Sequence, residues 1–404
     1  MKLRSNTLKL GAAAVALALA SPAVMAQDTI KLGLTAALTG PFNEFGEGIR
    51  RGAVLAIAEW NKNGGVDGKK VELAEALDDQ LSPDRAVQNM RRILDNEEIV
   101  GIIAPAGSGP TLATIDMLEA DGRPVCNPMA QAPQIVYPNG MDKPPRKNVF
   151  SLAITNEAES TRLGQLLAEK YNNVGILHES TAYGVTGSEI VKRAYSAANE
   201  KGKVTSESYN QRTQDVTAQL ARLQRGNIDA LLVIGLGADF AVIRRNMSRL
   251  NVDLPLYGSN GAATAPYVEG AGDLALGTRS VSTLSFGQRP LSKESQTFVD
   301  AYRAEFGTDR WYGPDAENPL VSMASVVGTS YDCVSVLLDG IKRAGTTDPA
   351  KVVAAIEETK NLPGASIAAI SFSPTEHEAL KPTDLGLFVM TREGDRTFLK
   401  LAED

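Results

Sequence analysis

The sequence predicts an α/β fold of two doubly wound parallel-sheet lobes. Short apolar runs alternate with amphipathic helical segments, and this rhythm is played twice, over residues 30–127 and again from Val174. A polar, proline-rich loop over residues 137–147 separates the two runs. Repeated β-α-β units imply parallel sheets. Right-handed crossovers then place helices on both faces of each sheet, and the carboxyl ends of the strands face a cleft, where open α/β sheets bind ligands.

Taken in order, residues 30–35 form the first strand and Gly40-Pro41 the turn after it. Over 44–63, Phe45, Ile49, Ala53, Ala56, Ile57 and Trp60 recur at helical spacing. Gly64-Gly65 supplies the left-handed backbone that ends such a helix. A strand over 71–77 comes next, then a helix opened by Ser82 and Pro83 that buries Ala86, Met90, Ile93 and Leu94. Residues 99–104 are apolar on both faces, as central parallel strands are. A helix over 110–120 and a strand over 124–127 close the first run.

In the second run, 174–178, 204–209, 230–234 and 254–257 read as strands, and 184–199, 215–225 and 239–250 as helices. The last third holds helices over 292–306, 322–344 and 349–359, then short strands over 367–373, 385–391 and 397–401. So long a tail predicts that the chain crosses between the lobes more than once.

Residues 1–26 read as a signal peptide. Lys2, Arg4 and Lys9 make its basic start, residues 10–20 its apolar stretch, and Val24-Met25-Ala26 a cleavage site. That stretch is well short of the ~20 residues needed to span a bilayer, and no cysteine follows it to carry lipid. The expectation is an exported, soluble chain starting near Gln27. Loss of the leader takes the formal charge from −7 to −10, which disfavours nucleic-acid partners. Cys126 and Cys333 are the two cysteines. They can pair in an oxidising compartment, but nothing in the sequence brings them together, and two buried free thiols are the simpler expectation.

Enzyme motifs are missing: there is no phosphate loop, no G-x-S-x-G and no H-E-x-x-H, and Gly235 and Gly237 do not continue into a dinucleotide fingerprint. His178 and His377 have no partner at metal-ligand spacing. No metal, cofactor or catalytic residue is expected, and Asp78-Asp79 reads as a turn and cap pair. What remains is a recognition site. Residues 104–111 leave a buried strand, pass Gly107-Ser108-Gly109 and open a helix at Pro110-Thr111. Free N–H groups there, with the helix dipole and the Ser108 hydroxyl, suit an anion such as a carboxylate. A plain helix cap at Ser108 is the alternative.

The ordered pieces Ile30-Lys31-Leu32-Gly33, Leu38-Thr39-Gly40-Pro41, Phe45-Gly46, Arg51-Gly52-Ala53 and residues 61–68 resemble one family. Asn127-Pro128, Ala132-Pro133, Tyr183-Gly184 and Tyr257-Gly258 extend the likeness over nearly the whole mature chain. It is that of the type I periplasmic binding proteins for leucine, isoleucine and valine. The resemblance implies two lobes joined by three hinge crossings, with lobe 1 over 28–153 plus 284–362 and lobe 2 over 156–282 plus 366–404. It implies a monomeric periplasmic solute-binding protein that delivers a small carboxylate to the inner-membrane permease of an ABC importer. A sensor subunit on the same fold is the alternative.

By position, Ser108 matches the serine that binds the ligand's carboxylate, Tyr183 the aromatic that covers the ligand, and Phe45 a tyrosine of the side-chain pocket. Gly107, Thr111 and Met129 join the candidate ligand set. Gln131 stands where the family has a threonine, and neutral Asn260 where it has the acid that holds the ligand's ammonium. The family's disulfide needs cysteines near Leu81 and Gly107, which are absent. These departures tilt the expected ligand from branched-chain amino acids towards amine-free aliphatic or aromatic acids, unless Asp239 or Glu44 supplies the missing charge.

Overall fold

The computed structural model describes Met1 and residues 29–287, 290–307 and 324–402. The expected leader, Met1 apart, and the first two residues of the helix expected over 322–344 lie outside the described residues.

Strands β1 (Ile30–Ala36), β2 (Val71–Asp78), β3 (Ile99–Ile103), β4 (Val125–Asn127) and β5 (Val149–Ser151) pair in parallel in the order β2-β1-β3-β4-β5. Helices α1 (Asn43–Lys62), α2 (Pro83–Asp95) and α3 (Ser108–Asp121) connect the first four. The end of α1 follows its sequence, with Gly64 and Gly65 at φ +96° and +73°. Ser82 precedes α2 but its side chain makes no cap bond, so Pro83 in the first turn marks the start instead.

The second run brings α4 (Asn156–Lys170), β6 (Asn173–Glu179), α5 (Ala182–Ala198), β7 (Lys203–Tyr209), α6 (Thr217–Gln224), β8 (Ala230–Ile234), α7 (Gly237–Arg249), β9 (Leu256–Gly258), α8 (Ala265–Ala271) and β10 (Arg279–Thr283). The chain then returns to the first sheet as α9 (Lys293–Phe306), α10 (Ala324–Ala344) and α11 (Pro349–Glu357). It ends in the second sheet as β11 (Leu385–Glu393) and β12 (Arg396–Leu401), giving the order β12-β11-β10-β9-β8-β6-β7.

This second sheet is mixed. β6 to β10 run parallel, but β11 and β12 pair antiparallel at one edge, as mixed α/β sheets commonly do. The strand expected over 367–373 is a loop. The buried Asp332 carboxylate on α10 accepts the N–H groups of Ala365, Ser366 and Ile367 at 2.6, 2.8 and 3.3 Å, which captures the start of the segment. The rest makes only isolated bridges, Ile370 with Leu362 and Ser373 with Glu376. Burial pushes Asp332 up to about 6.

Helix α10 locks the first lobe together. Ser330 Oγ donates to Ile49 O and Thr329 Oγ1 to Pro128 O, both at 2.7 Å. Gly52 lets α1 pack close to it, since a Cβ there would lie 2.2 Å from Val327 O. Cys126 and Cys333 form a disulfide between β4 and α10, with Cα atoms 5.5 Å apart. The expectation of two free thiols is corrected: tertiary packing over 207 residues of separation is what brings them together.

Candidate functional site

A cavity of about 160 Å³ lies where the carboxyl ends of the two sheets' strands face each other. The first-lobe wall comes from Phe45 on α1, from the turn that opens α3, and from residues 129–131 after β4. Beyond β3 the chain reaches Gly107 at φ +79°, a left-handed value that favours glycine, before α3 starts at Ser108. Asn127 shapes the next wall: its Nδ2 donates to Ala130 O at 2.6 Å and its Oδ1 accepts from Ala130 N at 2.9 Å.

Ser108 is buried, and its Oγ accepts N–H groups from both Gln131 and Ala132 at 3.1 Å. Both hydroxyl lone pairs are therefore used. What Ser108 retains for a ligand is its O–H donor. Among the described residues no partner is found for the Ser108 and Gly109 N–H groups of the first turn, which adds donors beside it.

The second-lobe wall comes from Glu179 at the end of β6, Thr181 and Tyr183 at the start of α5, Gln211, Leu236 and the Asn260-Gly261 turn. Buried Glu159 braces this wall from behind. Its Oε1 accepts from Asn260 N at 2.5 Å and its Oε2 from the Tyr183 hydroxyl at 3.3 Å, and burial pushes it up to about 7. Gln131 Oε1 and Asn260 Oδ1 are buried acceptors with no partner among the described residues, although Asn260 Nδ2 reaches Ser325 Oγ at 3.4 Å.

Of the residues singled out from sequence, Phe45, Gly107, Ser108, Met129, Gln131, Tyr183 and Asn260 all line the cavity. Thr111 does not, and is corrected. Its hydroxyl donates back to Pro105 O and Gly107 O at 2.9 Å, and its N–H to Gly107 O at 3.2 Å. A threonine in a first turn readily bonds to the backbone behind it. Asp239 and Glu44, the acids considered for a ligand's charge, are also elsewhere. Asp239 accepts from Arg212 N at 3.1 Å and Glu44 from Ala265 N at 2.9 and 3.1 Å.

Sequence reasoning missed Glu179, the acid that does line the cavity. Its two carboxylate oxygens accept from Gln211 Nε2 at 3.0 Å each, and Thr181 Oγ1 donates to one of them. Burial pushes it up to about 7. The signal was its place at the carboxyl end of a strand, one residue beyond the expected strand end.

Contacts across the mouth hold the lobes together. Glu44 on α1 reaches the first turn of α8. Arg212 Nη2 donates to Gln80 O at 2.9 Å, and its guanidinium sits 5.6 Å from the centre of the Phe42 ring. An apolar cavity of roughly 150 Å³ accepts benzene, so this one suits a small organic molecule. It is built for binding. His178 contacts Glu179 O at 2.9 Å and buried His377 contacts Val149 O at 3.0 Å, and neither histidine lines the cavity. Among the described residues no group of three His, Cys, Asp or Glu side chains is placed to hold a metal.

The family model described as periplasmic binding protein matches residues 29–390. A crystal structure of a type 1 periplasmic binding protein from Bordetella pertussis Tohama I is 50% identical, covering 93% of this chain and 100% of that one, with a TM-score of 0.88. The leucine-, isoleucine-, valine-, threonine- and alanine-binding protein of Pseudomonas aeruginosa is 27% identical over 346 residues, 85% of this chain and 86% of its own. A solute-binding protein of an ABC transporter from Rhodopseudomonas palustris BisB5, solved with 3,4-dihydroxybenzoic acid, shares the fold at 19% identity. It covers 93% of this chain and 96% of that one, with a TM-score of 0.76.

Proposed function

The chain belongs to the periplasmic binding protein family and is a solute-binding protein, not an enzyme; from that premise we propose that it captures a small carboxylate between its lobes and delivers it to the permease of an ABC importer. The observation that carries this reading is Ser108, whose hydroxyl has both lone pairs engaged and only its donor left for the cavity. The ligand's carboxylate takes that O–H and the free N–H groups of the α3 first turn. Gly107 allows the close approach, Phe45 and Met129 supply apolar contact, and Tyr183, Gln131 and Asn260 complete the enclosure. The Pseudomonas relative, named for five amino acids, and the Rhodopseudomonas structure, solved with an aromatic acid, span the ligand range considered.

The proposal includes residues 1–26 as a cleaved leader, a periplasmic location, and a monomer. It also takes 28–153 plus 284–362 as one rigid lobe and 156–282 plus 366–404 as the other, hinged at three crossings. Hinge closure buries ligand and presents a shape the permease can read. Small-angle scattering is expected to show a smaller radius of gyration with a saturating ligand than without one. An identical profile with ligand demonstrably bound contradicts closure.

A further inference from the structure

We infer that Glu179 is a specificity-determining residue, which favours carboxylates that also carry a hydrogen-bond-donating group, above all an ammonium. The inference rests on the carboxylate reading and adds a second requirement to it. Glu179 is 1% exposed and lines the cavity from the second lobe, while Ser108 lines it from the first. A ligand filling the cavity touches both walls.

The electrostatics of that wall are one-sided. No Lys, Arg or His is among the described residues that line the cavity. The hydrogen-bond partners of Glu179 are the neutral Gln211 and Thr181. Its interacting charged neighbour is Asp239, of the same sign, with buried Tyr209 beside both. The Arg212 guanidinium is directed to Gln80 O and the Phe42 ring. A buried carboxylate without a counter-charge is costly, and a cation placed against it in hydrogen-bonding geometry offsets part of that cost. A carboxylate offers about four acceptor sites, and three hydrogen bonds occupy Glu179, which leaves room for a ligand's N–H or O–H.

Gln131 Oε1 and Asn260 Oδ1 are further unpartnered acceptors on the same cavity. Either amide can turn to offer N–H instead. Glu179 in its charged form offers no donor at all, so a ligand cation that keeps it charged meets an accepting wall. The carboxylate missing at Asn260 is thus replaced from a different strand end, and the tilt towards amine-free acids is reversed.

Burial lifts Glu179 to about 7, so the unliganded site is partly protonated at neutral pH. A bound ammonium favours the charged form and expels that proton. Glu159, Tyr183, Tyr209, Asp239, His178 and Arg212 are the other titratable groups around this wall, so the Glu179 variant is the control that assigns the proton.

The test is calorimetry at pH 7, in two buffers of different ionisation enthalpy. The ligands are amino acids and hydroxybenzoates, each set against the same acid lacking its amine or hydroxyl. The wild-type protein is expected to bind a donor-bearing member at least tenfold tighter than its partner, with proton release when the donor is an ammonium. Glu179→Gln should close the gap to threefold or less and abolish the release, and Glu179→Asp should restore part of both. Equal binding within every pair, or a gap unchanged in Glu179→Gln, overturns the inference and leaves the carboxylate reading standing. Failure of every carboxylate to bind overturns both. Circular dichroism of the unliganded variants checks folding, and the wild-type comparison and proton release decide the matter if Glu179→Gln does not fold.

Discussion

Ser108→Ala is expected to weaken carboxylate binding by about 1–3 kcal/mol, roughly 5- to 150-fold, because an enclosed anion loses a charge-assisted hydrogen bond. The structure adds a second consequence. Ser108 Oγ also accepts from Gln131 N and Ala132 N, so the variant leaves two backbone donors without their acceptor. The unliganded protein should therefore lose about 1–3 kcal/mol of stability as well. The two effects separate experimentally: calorimetric affinity at a temperature where both proteins are folded reports the lost donor, and the unliganded denaturation midpoint reports the lost acceptor. Unchanged affinity with a lowered midpoint would make Ser108 a loop anchor and not a ligand contact.

Removing the disulfide should have a larger effect on stability and little on binding. Cys126 and Cys333 close a loop across 207 residues, and chain-entropy arguments put such a crosslink at about 5 kcal/mol, against 2–4 kcal/mol for typical bridges. The bond ties the short strand β4 to α10, next to the Thr329 and Ser330 bonds that hold the same helix. A Cys126→Ala, Cys333→Ala double variant is expected to lose about 2–5 kcal/mol in denaturant unfolding. Neither cysteine lines the cavity, so ligand affinity should change less than about threefold, under 1 kcal/mol. Equal unfolding midpoints for the two proteins would contradict the crosslink's structural weight.

Much of this architecture was legible because local rules and global fold agree. α1 shows its apolar stripe and its glycine stop in plain sequence, and the central strands β3 and β8 read as apolar runs because both their faces are covered. The elements that escaped are short or sit in polar sequence. β5 has three residues and α8 seven, too few to display a period. Helix α4 comes after the polar loop and the short β5, and its signals were its Thr155 cap and the Leu163, Leu166 and Leu167 face. The 367–373 loop has a strand's composition, but Asp332 captures the backbone just before it and at its first residue.

The site divides the same way. Ser108 and its glycines announce an anion turn because the glycine-flanked helix start is a local feature. Glu179 has only its place at the carboxyl end of a strand as a local signal, and a single acid there has many uses. Its significance comes from the opposite lobe closing over it and from the absence of a cation among the described lining residues, both tertiary facts. The disulfide is of that kind too.

The central claim is that an anionic oxygen pair meets the Ser108 hydroxyl and the α3 first turn inside a closed cavity. Calorimetric titration of one bound carboxylic acid against its own primary amide tests it most directly, since shape and apolar contact are nearly constant and only the anion is removed. The acid is expected to bind at least tenfold tighter, matching the loss of a charge-assisted bond of about 1.5–3 kcal/mol. An amide that binds as tightly as its acid would contradict the account.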